Sequence, residues 1–292
     1  MNKYVIAGIS AFSIWGFFPI PLKALSNYPS GQILFYRLFF ALVFLFLLTF
    51  LFRKGALIAT IRQLQEDAKK RKWIGLNIAG GVLLASNWLF FIYSMNQISV
   101  QVATFAYWIC PILTTLLGRL LLKEELNLFK KIAIGLCILS CIILGGASLN
   151  NLAFSLITAL TYAFYLISQR LLRQFDKLSL MAFQFLVAFV LLLPFYSILT
   201  QNSLEINSHF LSIIGVIAVF FTVLPLFLNT YALKELSSGT VGIFMYINPI
   251  ISFLLAFFFF KEPATFWEIV AYFCIGVSVI IYNLPKKWLI RA

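Results

Sequence analysis

The residues that could bind a substrate are few, because charged and polar side chains are rare in this chain. Arg37 lies inside one long apolar run, and Asn87 lies near the middle of another. A charge inside such a run is a functional candidate by default. We predict that Arg37 either pairs with a substrate carboxylate or buried acceptor, or extends to the interface with water. For Asn87 we predict a hydrogen bond between helices or a place in a cavity.

Aromatic rings that carry a polar group form the larger set of candidate binding residues. They are Trp15, Trp88, Tyr93, Tyr107, Trp108, Tyr162, Tyr165, Tyr231 and Tyr246. Each ring combines apolar surface with one hydrogen-bonding group. Tyr107 and Tyr246 lie near helix ends, where an interfacial belt is the competing interpretation. A lining of this kind suits an aromatic or moderately apolar small molecule, including a zwitterion.

Acids and histidine form no set typical of an enzyme. The nine carboxylates lie in loops or at helix ends, and the single histidine, His209, lies in a loop. A membrane enzyme needs acids, histidines or a nucleophile clustered at one face. We therefore expect no enzyme, no catalytic residue, no cofactor and no metal. Proton- and sodium-driven carriers commonly place a carboxylate within the membrane, so this sequence favours facilitated transport, exchange, or coupling by a route that uses no such carboxylate.

The composition assigns the chain to the all-α polytopic membrane proteins. Hydrophobic residues make up 62% of it and charged residues 11%. Apolar runs of about 18 or more residues indicate membrane-spanning helices, and barrel strands would alternate instead. We predict ten transmembrane helices, at 4–22, 33–52, 74–94, 100–122, 128–147, 153–171, 179–199, 210–232, 239–260 and 265–284.

Lysine and arginine are distributed asymmetrically about these helices. Of the 22, 19 fall on one side, Lys23 and Lys261 fall on the other, and Arg37 lies within a helix. The positive-inside rule therefore places both termini in the cytoplasm. The asymmetry explains the net charge of +13 without a nucleic-acid partner. Within the basic loop 53–73, the apolar residues have helical spacing, which indicates a short interfacial helix.

One stretch occurs twice, at 107–124 and again at 245–262. Each copy has a proline near its start and Lys-Glu at its end, and the spacing from proline to lysine is the same in both. Repetition of this kind indicates two homologous halves. Five helices per half is an odd number, so the second half must be inverted in the membrane. Inverted repeats are typical of transporters, which bind substrate between the halves and alternate access.

The repeated residues are candidates for hinges and gates. Pro111 and Pro249 each break a helical hydrogen bond, so we predict either a hinge or a static kink at both. Glu124 and Glu262 end the two copies. We predict that they anchor helix ends, or that they gate the cavity. The predicted domains are the first repeat, 1–147, the second, inverted repeat, 153–284, and a cytoplasmic tail, 285–292.

These motifs resemble the EamA family of the drug/metabolite transporter superfamily, and within it the RarD-like branch. The motifs, in order along nearly the whole chain, are IWGFFPIPLK, Arg37, SNWLFFIYSMN, YWICP with its KE, TALTYAFYLISQR, TVLPLFLNTYAL and MYINP with FKEP. The resemblance implies ten helices around a central cavity, and movement of small organic molecules, commonly outward. Cys110 stands where the branch tends to have asparagine. Asn248 keeps that asparagine, so we add it to the cavity residues, and we add Pro19 to the hinges.

We therefore predict a secondary transporter in the inner membrane, a permease or exporter that works by alternating access. Its cargo is a small organic metabolite or drug, with an amino acid or aromatic compound as candidates. The alternative is a flippase for a lipid-linked molecule, and a membrane enzyme ranks lower. The expected partners are a small-molecule substrate and the lipid bilayer, for a monomer or homodimer that binds no nucleic acid.

Overall fold

A computed structural model describes residues 2–94, 100–144, 149–200, 205–259, 261 and 265–284, and this part of the chain is helical throughout. The α-helices of the first half are α1 (Lys3–Gly16), α2 (Pro19–Lys23), α3 (Ser30–Leu47), α4 (Lys54–Glu66), α5 (Lys70–Tyr93), α6 (Val100–Leu122) and α7 (Leu128–Leu144). Those of the second half are α8 (Leu149–Leu171), α9 (Lys177–Leu192), α10 (Tyr196–Leu199), α11 (Ser208–Ala218), α12 (Leu224–Ala232), α13 (Ser238–Phe244), α14 (Ile247–Leu254) and α15 (Phe266–Tyr282). Wider π-helical turns occupy Leu48–Phe52, Val219–Val223 and Leu255–Phe259.

Several helical runs in the described residues have the length and composition of membrane spans. Six of them are Lys3–Lys23, Ser30–Phe52, Lys70–Phe91, Lys177–Leu199, Ser208–Ala232 and Ser238–Phe259, and Ala106–Leu122 and Ile269–Tyr282 are shorter apolar helices. Helices satisfy their backbone hydrogen bonds internally, which a hydrocarbon environment requires. Each of the ten predicted ranges overlaps described helices. That all ten cross a membrane stays a prediction.

The helices pack around two apolar clusters. In the larger cluster α6 lies along α8, α5 lies against α8 and α9, and α1 lies against α12. The smaller cluster joins α6 and α7 to α13 and α15, and contains Trp108, Cys137, Tyr246 and Ile275. Large apolar side chains also cover the outside of the bundle. Phe258 is 63% exposed and Phe273 is 71% exposed, as expected for helices that face lipid.

Helix α4 is the short helix predicted within the basic loop. Leu64 packs with Trp73 and Leu76 against a small buried cluster around Phe175, while Ile58 and Ile61 are exposed. The placement of α4 at a membrane interface stays a prediction. We call the end of the bundle that carries α4 the basic face. The opposite end, at α2 and the first turn of α3, is called the distal face.

Two cations at the basic face satisfy backbone carbonyls at helix ends. The last carbonyls of a helix have no partner within it and carry partial negative charge. The guanidinium of Arg170 donates to the carbonyls of Leu233 and Lys234, each at 2.7 Å. The buried ammonium of Lys177 donates to the carbonyls of Leu172, at 2.9 Å, and Gln169, at 3.3 Å. The Arg170 contacts join α8 to the end of α12, and the Lys177 contacts join the start of α9 to the end of α8.

A proline creates a similar need deeper in the bundle. Pro225 has no N–H, so the carbonyl of Phe221, four residues earlier, loses its α-helical donor. The chain forms the π-helical turn Val219–Val223 at this place. The indole N–H of Trp15, on α1, donates to the carbonyl of Phe221 at 3.0 Å. The Trp15 side chain thus replaces the hydrogen bond that Pro225 removes from the neighbouring helix.

We expect Trp15→Phe to lower the free energy of unfolding by about 1 kcal/mol, because the Phe221 carbonyl then lacks its donor. Thermal unfolding in detergent measures the change. The same change should cost less in a Pro225→Ala background, where residue 225 regains an N–H. The double-mutant cycle removes the effect of ring size, which both backgrounds share. Equal costs in the two backgrounds would show that Trp15 stabilises the protein by packing alone.

Candidate functional site

A cavity of about 70 Å³ opens among α2, α3 and α5 in the distal half of the bundle. Its lining is mostly apolar, with one charged residue, and consists of Phe18, Leu22, Ser30, Ile33, Leu34, Arg37, Trp88 and Phe91. A lining that is apolar with a few convergent polar groups is typical of small-molecule sites, whose volumes are usually larger, at roughly 300–1,000 Å³.

Arg37 lies deeper than the sequence indicated. Helix α3 begins at Ser30, so Arg37 stands seven residues into it, which is about 10 Å at 1.5 Å per residue. Its guanidinium carbon lies 5.2 Å from the ring centre of Trp88 and 5.9 Å from that of Phe18. Such distances are typical of cation–π contacts. The side chain lines the cavity, and its pairing with a substrate carboxylate stays a prediction.

The charge of Arg37 is not matched by an acid in the described part of the chain. The ion pairs found there join Arg53 to Asp176 and Arg62 to Glu66, both at the basic face. The Nε atom of Arg37 is buried and has no hydrogen-bond partner among the residues that the structure describes. A buried guanidinium nitrogen without a partner is costly, so this donor is available to a ligand in the cavity.

Aromatic residues continue from the cavity toward the centre of the bundle. Phe91 contacts Tyr107 at 5.2 Å between ring centres, Tyr107 contacts Tyr162 at 6.5 Å, and Tyr162 stacks on Tyr165 at 5.7 Å. The amide of Asn229 donates to the Tyr162 hydroxyl at 3.2 Å. We call the four rings, Phe91, Tyr107, Tyr162 and Tyr165, the aromatic band. It runs from the cavity into the bundle with rings from three helices.

Polar atoms beside this band lack partners. The Asn87 amide nitrogen donates to the Thr158 carbonyl at 2.9 Å, which is the predicted bond between helices. Its Oδ1 atom, however, is buried with no partner among the described residues, as are the Tyr165 hydroxyl and the Asn229 Oδ1 atom. Buried polar groups are nearly always hydrogen-bonded. These three acceptors are therefore available to a ligand or to water.

Asn229 is a site residue that sequence reasoning missed. It lies within the quoted stretch TVLPLFLNTYAL and is fully buried. The signal that marked Asn87, an amide inside an apolar run, applies equally to Asn229. Its nearness to the end of the predicted helix at 232 concealed it, since amides at helix ends are commonly hydrated.

The structure places the other predicted binding residues outside the cavity and the band. Tyr93 is half exposed beside Phe154. Tyr231 stacks on Tyr4 at 5.0 Å near the basic face. Tyr246 is fully buried in the smaller cluster, where its hydroxyl donates to the Trp108 carbonyl at 2.7 Å.

Asn248 lies where α14 packs against α1. The Ser252 hydroxyl contacts its Oδ1 atom at 3.3 Å and the Gly16 carbonyl at 3.2 Å. Of the predicted set, the structure thus brings together Arg37, Trp88, Tyr107, Tyr162 and Tyr165, with Asn87 and Trp15 packed nearby.

The prolines of the two copies have different local structures. Helix α6 continues through Pro111, whose carbonyl accepts from the Thr115 hydroxyl at 2.9 Å. In the second copy α13 ends at Phe244 and α14 begins at Ile247, two residues before Pro249. Pro19 stands at the first position of α2, where a missing N–H costs nothing. Movement at any of these prolines stays a prediction.

Glu124 anchors one helix to the end of another. Lys123, after α6, has a left-handed φ of 55°, and the Glu124 N–H donates to the Gly118 carbonyl at 3.1 Å. This turn carries the Glu124 carboxylate to the start of α13. There it accepts from the backbone N–H groups of Ser238, at 2.7 Å, and Gly239, at 3.1 Å. The predicted partner in the other copy, Glu262, lies outside the described residues.

Metal chemistry has no visible site. In the part of the chain that the structure describes, no group of three or more His, Cys, Asp or Glu side chains is placed to hold a metal ion.

Comparison with known proteins gives full-length matches. The EamA-like transporter family matches residues 2–146 and again residues 150–284. The uncharacterized transporter YojE of Bacillus subtilis is 27% identical over 98% of this chain and 96% of its own. An uncharacterized transporter of Vibrio cholerae is 28% identical over 97% of this chain and 92% of its own. The protein RarD of Escherichia coli is 27% identical over 95% of this chain and 93% of its own.

A solved crystal structure shares the fold. Its TM-score with this chain is 0.79 at 14% sequence identity, over 100% of this chain and 99% of that one. At this identity the likeness concerns the fold alone.

We expect Glu124→Gln to destabilise the protein by roughly 1–2 kcal/mol, because a charged acceptor at a helix N-terminus is replaced by a neutral one. Thermal unfolding in detergent measures the change. Glu66→Gln is the matched control, since Glu66 is exposed at the end of α4. Equal stability of the two variants would show that the Glu124 contacts contribute nothing beyond those of a surface acid.

Proposed function

The chain belongs to the EamA-like transporter family, and from this membership we propose that it moves a small organic carboxylate across the membrane by alternating access. The family and the apolar helices make it a multi-pass membrane transporter. The finer proposal concerns the substrate class and the route. It is supported by the residues of the cavity.

The observation that carries the proposal is the unpaired charge of Arg37. A substrate carboxylate would accept two parallel hydrogen bonds from the guanidinium and would compensate its charge. The rings of Trp88 and Phe18 lie 5.2 and 5.9 Å from the guanidinium carbon. The unpartnered Nε atom is the donor that we propose for the substrate carboxylate.

The aromatic band supports a substrate whose body is apolar or aromatic. The rings of Phe91, Tyr107 and Tyr162 offer stacking surfaces next to Arg37. The unpartnered acceptors of Asn87 and Asn229 are suited to an N–H donor on the same molecule. An amino acid or a related aromatic acid combines these groups, so we place it first among the candidates.

The proposed route depends on two inverted five-helix repeats, 1–147 and 153–284, with ten spans in all. Two observations support this architecture. The family matches the chain twice. The matched lysines Lys123 and Lys261 have φ values of 55° and 57°. Positive φ is uncommon in residues other than glycine, so its repetition at matched positions supports a common local structure.

The conformation described here fits the state that is open at the distal face. The cavity lies in the distal half, while Glu124 and Arg170 join helix ends at the basic face. The positive-inside rule puts the basic face, and both termini, in the cytoplasm of the inner membrane. We therefore propose that this conformation faces outward and that Glu124 holds the cytoplasmic side closed.

A matched ligand panel tests the role of Arg37. We expect phenylacetate and phenylalanine to raise the melting temperature of the purified protein, and phenylacetamide and phenylethylamine to leave it unchanged. A bound acid at about 100 times its Kd contributes roughly 2.7 kcal/mol. Arg37→Gln should abolish the shift, and Arg37→Lys should keep part of it.

The control for this panel is a charge change far from the cavity. Arg53→Gln alters the basic face and should keep the full shift. Shifts that are equal for acids and amides, or that persist in Arg37→Gln, would contradict the carboxylate proposal. A shift from lipid-linked precursors alone would support a flippase instead.

The proposed orientation predicts which cysteines react from each side. Ser26→Cys lies in an exposed turn at the distal face, and Gly55→Cys lies in the exposed start of α4. In intact cells a membrane-impermeant thiol reagent should label the first variant and spare the second. Inside-out vesicles should show the reverse, and labelling of both from one side would refute the topology.

A further inference from the structure

The proposed inverted repeat relates each residue of the cavity to a residue in the other half. Helix α3 begins at Ser30 and α9 begins at Lys177. We pair these two residues, and the same offset then pairs every residue of α1 to α3 with one in the second half. Helix α5 begins at Lys70 and α11 begins at Ser208, and the offset between these two starts pairs the residues of α5 in the same way. The same two offsets align the end of α2 with the end of α8 and the end of α5 with the end of α12, each almost residue for residue.

Applied to the lining residues of the cavity, the two offsets give a second set of residues in the other half, which we call the image site. In the order of the lining residues from Phe18 to Phe91, the image residues are Tyr165, Gln169, Lys177, Leu180, Met181, Gln184, Leu226 and Asn229. The helix starts alone select this set, with no reference to distances between its members. Their positions in space therefore test whether the correspondence has physical meaning.

The image residues lie together in the basic half of the bundle. The Gln169 amide donates to the Gln184 Oε1 atom at 3.2 Å, and the Lys177 ammonium donates to the Gln169 carbonyl at 3.3 Å. The Thr230 hydroxyl, next to Asn229, contacts the Met181 sulfur at 3.8 Å. Three helices, α8, α9 and α12, thus contribute to one cluster, just as α2, α3 and α5 contribute to the cavity.

The image site is closed where the cavity is open. All eight image residues are at most 3% exposed, whereas most residues of the cavity lining are only partly buried. Helix α5 completes the closure. The Gln184 amide donates to the Asn77 Oδ1 atom at 2.8 Å, and a Cβ atom at Gly80 would lie 2.8 Å from the Gln184 nitrogen.

The closed cluster retains polar atoms that its packing does not satisfy. The Tyr165 hydroxyl, the Gln169 Oε1 atom and the Asn229 Oδ1 atom are buried and have no partner among the residues that the structure describes. A cluster that served only as a core would gain stability if these atoms were apolar. Their presence indicates that the cluster binds something polar in another conformation.

We propose that the image site is the substrate site of the state open at the basic face, and that Lys177 supplies its cation. The inference rests on the proposed transport function. The image of Arg37 is the neutral Gln184, so the charge that meets the carboxylate must come from another residue. Lys177 is buried in the cluster, and its ammonium is held by the carbonyls of Gln169 and Leu172. When α8 and α9 separate, the ammonium exchanges these carbonyls for the carboxylate.

Cysteine accessibility tests the image site without any substrate. Leu34→Cys and Met181→Cys form a matched pair, since Met181 is the image of Leu34 and both side chains are buried. Sulfonatoethyl methanethiosulfonate, which does not cross membranes, is applied to intact cells and to inside-out vesicles. The parental chain, with its own four cysteines, provides the background.

We expect Leu34→Cys to react only from the distal face and Met181→Cys only from the basic face. Adding Glu124→Gln, which weakens closure of the basic face, should raise the rate at Met181→Cys and lower it at Leu34→Cys. Reaction of both cysteines from one face would overturn the proposal. Protection of Met181→Cys from both faces, even with Glu124→Gln, would overturn it too.

Reagent charge tests the role of Lys177. The anionic reagent should react faster at Met181→Cys than trimethylammonioethyl methanethiosulfonate, which is cationic. Lys177→Gln should reduce the ratio of the two rates by about tenfold, because the nearby ammonium is lost. Lys54→Gln, in exposed α4, should leave the ratio unchanged. A ratio that survives Lys177→Gln would overturn the assignment of the cation.

The two proposals fail separately. If the acids of the ligand panel bind regardless of Arg37 while the cysteine pattern holds, the image site stands and the carboxylate assignment fails. If Arg37 governs acid binding but Met181→Cys never reacts from the basic face, the cavity remains the substrate site and the image site is a static core.

Discussion

Every backbone carbonyl and N–H that faces hydrocarbon must find a partner inside the protein, and the specific contacts of this structure follow from that requirement. Trp15 donates a hydrogen bond to the carbonyl that lacks its α-helical donor because of Pro225, and Arg170 and Lys177 donate to carbonyls at helix ends. The Glu124 carboxylate accepts from the N–H groups at the start of α13. In each case a side chain from one helix completes the backbone of another or of the turn beside it.

These contacts are concentrated at the basic face and have a consequence for movement. A helix end that is held by a side chain of its neighbour cannot separate from it without losing a charge-assisted hydrogen bond. At the basic face, Glu124 and Arg170 join helix ends in this way.

Arg37 departs from this pattern of satisfied groups. Its guanidinium lies beside aromatic rings and forms no ion pair with an acid in the described part of the chain. A fully hydrated arginine would gain little from an anion, and a paired one would have to break its pair first. An arginine without an acidic partner avoids both costs, which is why the proposed function assigns the substrate carboxylate to it.

Much of this architecture was readable from the sequence. The apolar runs determined the helices, because hydrocarbon leaves the backbone no other way to satisfy its polar groups within one segment. The constant register between two matched stretches indicated a repeat. Arg37 and Asn87 were identifiable because polar residues in apolar runs are conspicuous. Family membership followed from the order of the motifs.

Tertiary structure decided which of the candidate residues belong together. Tyr246 and Tyr162 are both tyrosines within apolar runs, yet Tyr246 is buried in the smaller cluster and Tyr162 lies in the aromatic band. The prolines match in sequence, yet α6 continues through one and the helix is interrupted before the other. Periodicity places a residue on its own helix. Which face of that helix meets lipid, a neighbour or a cavity depends on how the helices pack, and packing is a property of the whole chain.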